Sequence, residues 1–297
     1  ADIFNEYQSG GGLMHLELEY DSATENFKTS TNLLATGFDA PSDVEIVGNE
    51  MYVMDFGSTS AIWKVTFPEN SIYQAPKAES SPTIDGIGDE ADWEKASWRA
   101  LDHLYMDLSG NNNMPDPDDF SVKYKAIWKD SALFFLVEMT DDNLDGKQPG
   151  DDPFDSYPDY DNVEIFLDED NSGGWHERTH NAFAYHIMTN GDVIDLCGDG
   201  CTGWNPPPQI LLNDHIDLEI KSEGNLHTWE FSLKVYTENY DENKEDNSSA
   251  LVDLYAGKVM GMIVAANDRD GGPNRQHMIG DVPIPGETNS ERNVAWQ

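Results

Sequence analysis

Basic residues are the scarcest feature of this 297-residue chain: 17 Lys and Arg stand against 57 Asp and Glu, a formal net charge of −40. A polyanion of that strength is repelled by nucleic-acid phosphates and by anionic membrane surfaces, so neither is expected as a partner. Long apolar runs are missing as well. None approaches the ~18 residues that a membrane span needs, and no membrane insertion is expected. The chain opens at Ala1-Asp2-Ile3 without a charged-then-apolar leader, which implies either a leader already removed or a longer parent chain. Cysteine is nearly absent: Cys197 and Cys201 stand alone, in "CGDGC". Their number excludes a four-cysteine zinc site and their spacing excludes a C-x-x-C redox pair; a local disulfide in an oxidising compartment stays open. No nucleophile elbow, H-E-x-x-H, phosphate-binding loop or dinucleotide fingerprint occurs. His176 and His180 lie four apart, but in a loop-like acidic segment rather than on a helix. Catalysis is not expected of this chain.

What is present is enough for a core: 38% hydrophobic and 11% aromatic residues, with eight Trp. Asp outnumbers Glu and gathers in short Gly/Asn-containing stretches instead of on helix-period faces. Such stretches are either a solvated acidic surface or oxygen-rich loops able to hold a hard cation such as Ca²⁺.

Hydrophobic periodicity divides the chain into three parts. Residues 1–72 read as short strands between turns, with alternation in Met14–Tyr20, Met51–Met54 and Ala61–Phe67. Residues 73–82 carry the Pro, Ser and charge content of an exposed linker. Residues 83–297 are β-rich again. Phe120, Val122, Tyr124, Ala126 and Trp128 alternate with polar neighbours, and Ala132–Met139 is a nearly continuous apolar run suited to a buried central strand. Further strands are expected at Val163–Asp168, Ala182–Met188, Ile216–Ile220, Trp229–Leu233 and Val259–Ala266, with one short helix at Ala91–Ala96 capped by Asp89. Recurrent turn clusters with few helical stretches predict an all-β protein, an antiparallel β-sandwich preceded by a smaller β segment.

Two stretches resemble known families. "TGFDAPSDVEIVGNEMYVMDFGSTSAIWKVTF" resembles the closing blade of a sugar-dehydrogenase or NHL-type β-propeller, although one blade cannot close a propeller by itself. Over residues 82–297, four phrases occur in register: "PTIDGIGDEADWEKA", "DFSVKYKAIWKDSALFFLVEMTDDNL", "DYDNVEIFLDEDNSGG" and "GMIVAANDRDGG". This order is similar to that of the family 9 carbohydrate-binding modules and their relatives. The resemblance implies a β-sandwich that binds Ca²⁺ structurally and grips sugar chains between two tryptophans. It implies sugar-hydroxyl contacts for Glu164, at the family's Glu in "D-x-V-E", and for Asn267 and Asp268 in the late polar pair. Where the family has its first stacking Trp, this chain has Tyr157-Pro158-Asp159-Tyr160; the family's Arg after the acidic loop is replaced by Ala184-Tyr185-His186-Ile187. Only Trp296 lies in the region of the second stacking Trp.

The expected site follows. Glu164, Asn267 and Asp268 supply edge hydrogen bonds to an oligo- or polysaccharide, and Trp175 with Tyr157 or Tyr160 stacks on it. Trp93, Trp128 and Trp229, in strand or helix patterns, belong to the core. Asp168-Glu169-Asp170-Asn171-Ser172-Gly173-Gly174 places oxygens at alternate positions before a glycine turn. Asp168, Asp170 and Asn171, with Asp141, Asp142 and Asp270, are therefore the expected Ca²⁺ ligands. The chain is expected to be a non-catalytic, calcium-stabilised carbohydrate-binding module of a secreted or cell-surface protein. Two further readings are a structural, adhesion or assembly module that captures other domains or copies of itself, and a haem-binding redox domain using Met139, Met188 or His186.

Overall fold

The computed structural model describes residues 11–21, 26–47, 50–57, 60–66, 72–110, 112–172, 179–198 and 208–283. Its contacts divide the chain into two units, Ala1–Ile72 and Tyr73–Gln297. No α-helix occurs among the described residues.

In the first unit, β1 (Gly11–Asp21) pairs antiparallel with β2 (Asn26–Phe38), and β3 (Pro41–Val47), β4 (Glu50–Asp55) and β5 (Ala61–Thr66) form an antiparallel meander. Phe38, Met51 and Val53 make its small core. Asp55 organises the meander: its carboxylate accepts N–H bonds from Asp39, Ala40, Gly57 and the Trp63 indole at 2.7–3.2 Å. Those donors hold its pKa down at about 2. A Cβ at Gly57 would lie 2.2 Å from that of Asp39, so the turn requires glycine.

The second unit is a sandwich of two antiparallel sheets. One has seven strands, in the order β13 (Gln209–Leu211), β12 (Val193–Leu196), β11 (Phe183–Met188), β10 (Asn162–Asp168), β16 (Gly261–Asp268), β17 (His277–Gly280) and β7 (His103–Asp107). The other has five, in the order β14 (Ile216–Glu223), β15 (Leu226–Lys234), β9 (Ala132–Asp141), β8 (Phe120–Lys129) and β6 (Arg99–Ala100). Alternation along each strand sends one set of side chains into the space between the sheets. Val122, Tyr124, Phe135, Val137, Trp229 and Phe231 of the five-stranded sheet meet Val163, Ile165, Tyr185, Ile187 and Val264 of the other.

The apolar run in β9 has a specific cause. Its inward residues join the main core, while Phe134 and Leu136, on the other face, are covered by Ala78 and Trp93. Trp93 sits in a five-residue 3-10 turn, Ala91–Lys95, and is pinned by Glu230, whose carboxylate accepts from the Trp93 indole (3.2 Å) and from the N–H groups of Asp85 (3.1 Å) and Gly86 (2.9 Å). This turn corrects the expected capped helix. Glu90, not Asp89, holds the cap position, and it makes no side-chain cap bond because its carboxylate accepts the Thr83 N–H instead.

The segment at 73–82 is not a free-standing linker. Pro76 and Ala78 exchange backbone hydrogen bonds with Trp128, and Tyr73 bonds both Ser97 and Ala126, so the segment lies along β8. Cys197 is disulfide-bonded; Cys201 lies outside the described residues. Asn247, which opens an N-x-S glycosylation pattern with Ser248 and Ser249, is tied into its own turn: its amide donates to Asp241 O (3.0 Å) and accepts the Asp241 N–H (3.0 Å).

Candidate functional site

Because Val163, Ile165 and Leu167 of β10 face the core, alternation turns Asn162, Glu164 and Phe166 to the outer face of the seven-stranded sheet. The antiparallel register sets Glu164 opposite His186 on β11, and Asn162 opposite Asn267 on β16. Asn267 Nδ2 donates to Glu164 Oε1 (2.5 Å) and to Asn162 Oδ1 (2.9 Å), and Asn162 Nδ2 donates to Tyr160 O (2.9 Å). Arg275, from the loop between β16 and β17, closes the cluster. Its Nη1 donates to Asn267 Oδ1 (2.9 Å) and lies 4.0 Å from Glu164 Oε1, while its Nε lies 4.0 Å from Asp159.

His186 Nδ1 is placed against two carbonyls, Ala184 O (2.9 Å) and Ile194 O (3.2 Å). A carbonyl only accepts, so Nδ1 carries a proton and Nε2 is the atom that faces Glu164 Oε1, at 3.6 Å. Tyr157 packs edge-on against the His186 ring at 4.9 Å.

This arrangement revises the expected contact residues. Glu164 and Asn267 are 1% and 0% exposed and form a buried polar floor. The side chains above them are those of Arg275 and His186, 17% and 14% exposed. Asp268, next to Asn267 on an alternating strand, turns away into a separate acidic cluster. Tyr157 is 9% exposed and already packed. Tyr160 is no bare stacking shelf either, since the Arg269 guanidinium lies 4.1 Å and the Lys147 ammonium 4.8 Å from its ring centroid. Trp175 lies outside the described residues, as do Trp204 and Trp296. Arg275 and Asn162, and His186 in this role, were not foreseen; the available signal was the strand arginine missing near His186 and the two arginines in and just after "NDRD", Arg269 and Arg275.

The haem reading gains nothing from this geometry. Met139 belongs to the core between the sheets, whereas His186 is on the outer face.

The expected cation ligands separate into two groups. Asp141, Asp142 and Asp270 converge with Asp268 and three unforeseen residues, Asp119, Asp161 and His277; the sets Asp141–Asp161–Asp268, Asp119–Asp268–His277 and Asp119–Asp142–Asp270 each bring ligand atoms within 4.8 Å of one another. Asp168, Asp170 and Asn171 stand at the opposite end of β10, about 20 Å away for a seven-residue strand, so they do not join this centre.

Within the converged group Asp141, Asp161 and Asp268 are at most 2% exposed. Burial, then repulsion from Asp268 and Asp270, lifts Asp141 to about 7. Burial, then the Asp141 charge, lifts Asp161 to about 9. Burial also raises Asp268, to about 6, against the opposing hydrogen bond from His277 Nδ1 (2.6 Å). Asp141 Oδ2 is buried without a hydrogen-bond partner. Carboxylates packed this closely need either protons or a counter-cation, and an all-oxygen set with an orphaned buried oxygen fits a hard divalent ion.

The fold and these two clusters define a β-sandwich with a polar cluster on one sheet face and a multi-carboxylate cluster at a strand end. The sequence profile of the Carbohydrate family 9 binding domain-like family matches residues 84–296, and the chain belongs to that family. Domains of this family are binding modules. No curated protein sequence matches the chain. Among solved structures, a carbohydrate binding module family 9 from Caldicellulosiruptor kristjanssonii in complex with glucose superposes with a TM-score of 0.47 at 19% identity, covering 75% of this chain and 91% of that one. The same module with cellotriose gives 0.46 at 18%, covering 75% and 89%. A protein from Bacteroides uniformis gives 0.49 at 13%, covering 75% and 94%.

Proposed function

We propose that the second unit is a non-catalytic saccharide-binding module of an extracellular protein, stabilised by Ca²⁺. The observation that carries the saccharide assignment is the Glu164–Asn267–Arg275 network on the outer sheet face of a family 9 domain. A carboxylate–amide floor under a guanidinium and an imidazole offers planar donors and acceptors, and its hydrogen bonds are assembled before any ligand arrives. The related bacterial module bound to glucose and cellotriose supplies the first ligands to try. A site of this size with little open aromatic surface predicts micromolar-to-millimolar affinity, about −4 to −8 kcal/mol.

Calcium is assigned to Asp141, Asp161 and Asp268, with Asp119, Asp142 and Asp270 adjacent. The residues fit because their donors are hard oxygens and one of them has no other partner. The extracellular setting rests on the disulfide-bonded Cys197, a bond uncommon in reducing compartments. For the first unit we propose a blade-like appendage: the β3–β4–β5 meander supplies three strands of the four in a propeller blade.

Calorimetric titration with glucose, cello- and xylo-oligosaccharides in Ca²⁺ tests the saccharide reading. Binding that Glu164→Ala removes, in a variant that still melts cooperatively, supports it; no heat from any saccharide refutes it. A second reading, a protein-assembly module with a degenerate sugar site, is favoured by the cations occupying the Tyr160 ring and by the burial of Glu164. It predicts self-association without sugar, visible by light scattering.

A further inference from the structure

The saccharide cluster and the acidic cluster are built from adjacent residues of the same two strands. On β10 and the loop before it, Asp159 contacts Arg275 and Asp161 belongs to the acidic cluster, while Asn162 and Glu164 form the polar floor. On β16, Asn267 lies in the floor and Asp268, the next residue, in the acidic cluster.

Asp161, the first residue of the "D-x-V-E" motif, has a further role. Its Oδ1 accepts the N–H of Arg269 (2.6 Å), the first residue of the loop that ends in Arg275 and Gln276. Its Oδ2 accepts the N–H of Asp145, in the loop that brings Tyr157, Asp159 and Tyr160 to the site. A single buried carboxylate thus ties together the two loops that supply the upper layer of the saccharide site. Other bonds brace the same loops from the acidic side: Gln276 N donates to Asp268 O (2.6 Å), Gln276 Nε2 to Asp270 (3.0 Å), and Arg269 pairs with Asp145 (3.1 Å). Asp141 Oδ2, buried and unpartnered, completes the group that contains Asp161.

We infer that Asp161 is a positioning residue through which a divalent cation controls saccharide affinity. The cation, held by Asp141, Asp161 and Asp268, fixes the Asp161 carboxylate in the orientation that holds both loops, and so sets Arg275 over Asn267 and Glu164. Without the cation the Asp161 carboxylate is held by the two loop N–H groups alone, its orientation is no longer fixed from the acidic side, and Arg275 loses its fixed place. The inference rests on the saccharide and cation readings above. It adds that the two sites are one thermodynamic unit, so whatever factor the cation contributes to saccharide affinity, the saccharide must contribute to cation affinity.

The test uses the full chain and two probes, Ca²⁺ and cellotriose, with glucose and xylotriose as alternates. Saccharide affinity is measured in Ca²⁺ and in chelator, and Ca²⁺ affinity with and without saturating saccharide. The expected result is a weakening of saccharide binding in chelator by about fivefold or more, matched by an equal gain in Ca²⁺ affinity when saccharide is present. Asp161→Asn, which keeps an acceptor but removes the charge, should bind saccharide in Ca²⁺ no better than the chelated parent and should respond to chelator no further. A merely structural cation would lower melting temperature without this reciprocity. Equal saccharide affinity with and without Ca²⁺, in a protein whose melting shows that Ca²⁺ binds, overturns the inference and leaves the saccharide reading standing; so does absence of Ca²⁺ binding. Failure of every saccharide in Ca²⁺ overturns the saccharide reading and this inference with it.

Discussion

Removing the cation should add to the second unit a contribution to stability that falls as pH rises. With no counter-cation, Asp161 is held at about 9 against 3.8 for an ordinary aspartate. Its folded-state pKa is raised, so the folded protein binds the extra proton. The stabilisation is therefore fully present below about pH 4 and is lost as pH rises toward 9. One proton's difference corresponds to about 1.4 kcal/mol per pH unit, or about 4 kcal/mol between pH 5 and 8. Halving that for water entry and relaxation leaves about 2 kcal/mol, or a melting temperature lower by about 4–8 °C for a unit of this size. Asp141 and Asp268 act in the same direction.

His215 acts in the opposite sense. It is buried, hydrogen-bonded through Nδ1 to the Tyr185 hydroxyl (3.1 Å), and packed among Phe183, Tyr236 and Tyr240. Burial, with help from Lys234 and His180, depresses its pKa from 6.5 to about 3. A depressed histidine stabilises above its unfolded pKa and costs stability below it, about 2 kcal/mol between pH 8 and pH 5. The two effects offset each other in a simple scan. The difference between scans in Ca²⁺ and in chelator cancels His215 and isolates the carboxylates. Differential scanning calorimetry at pH 5, 6.5 and 8 should show Ca²⁺ raising the melting temperature most at pH 8 and least at pH 5. A calcium effect independent of pH, or largest at pH 5, would refute the reasoning.

The remaining predictions concern single side chains. Arg275→Ala should weaken saccharide binding at least about tenfold by calorimetry, the loss of one charge-assisted hydrogen-bonding group, with a small change in melting temperature. Glu230→Ala leaves three N–H donors around a buried position without their acceptor and should lower unfolding free energy by about 2–4 kcal/mol in urea titrations; an unchanged midpoint would remove Glu230 as the anchor of the Trp93 turn. Trp93→Ala opens the layer over Phe134 and Leu136 and should cost about 3–5 kcal/mol in the same assay. His215→Phe should flatten the acid limb in Ca²⁺, reducing the stability difference between pH 5 and 7.5 by about 2 kcal/mol.

Much of the fold was legible because burial leaves a period-2 trace. Phe120–Trp128 and Trp229–Leu233 each show one buried face, and β8 and β15 follow them. The continuous run of β9 also reads correctly as a central strand, but the covering layer that explains it, Ala78 and Trp93, is 40–60 residues earlier in the chain, about the length of a hairpin pair away. Short strands such as β6, β13 and β17 carry too few residues to show a period. Glu164 and Asn267 were legible as a pair through their motifs, whereas their burial was not, because the residue that covers them, Arg275, comes from a loop with no periodic constraint. Asp161 opens the "D-x-V-E" motif and Asp119 the "DFSV" phrase, but neither marks a ligand by spacing, and His277 stands in unremarkable local sequence. Only the antiparallel pairing of β10, β16 and β17 and the end of the β8–β9 hairpin brings them together. The clustered aspartates after β10 looked the better cation loop on spacing alone. The carboxylates that converge instead come from four separate segments.

The most direct measurement is nuclear magnetic resonance mapping of saccharide binding on the calcium-loaded chain, with cellotriose and xylotriose as ligands. The largest shifts are expected on the Arg275 guanidinium, the His186 ring and the Asn267 amide, and they should vanish in Arg275→Ala. Shifts centred on another surface, or none with any saccharide, would contradict the saccharide reading.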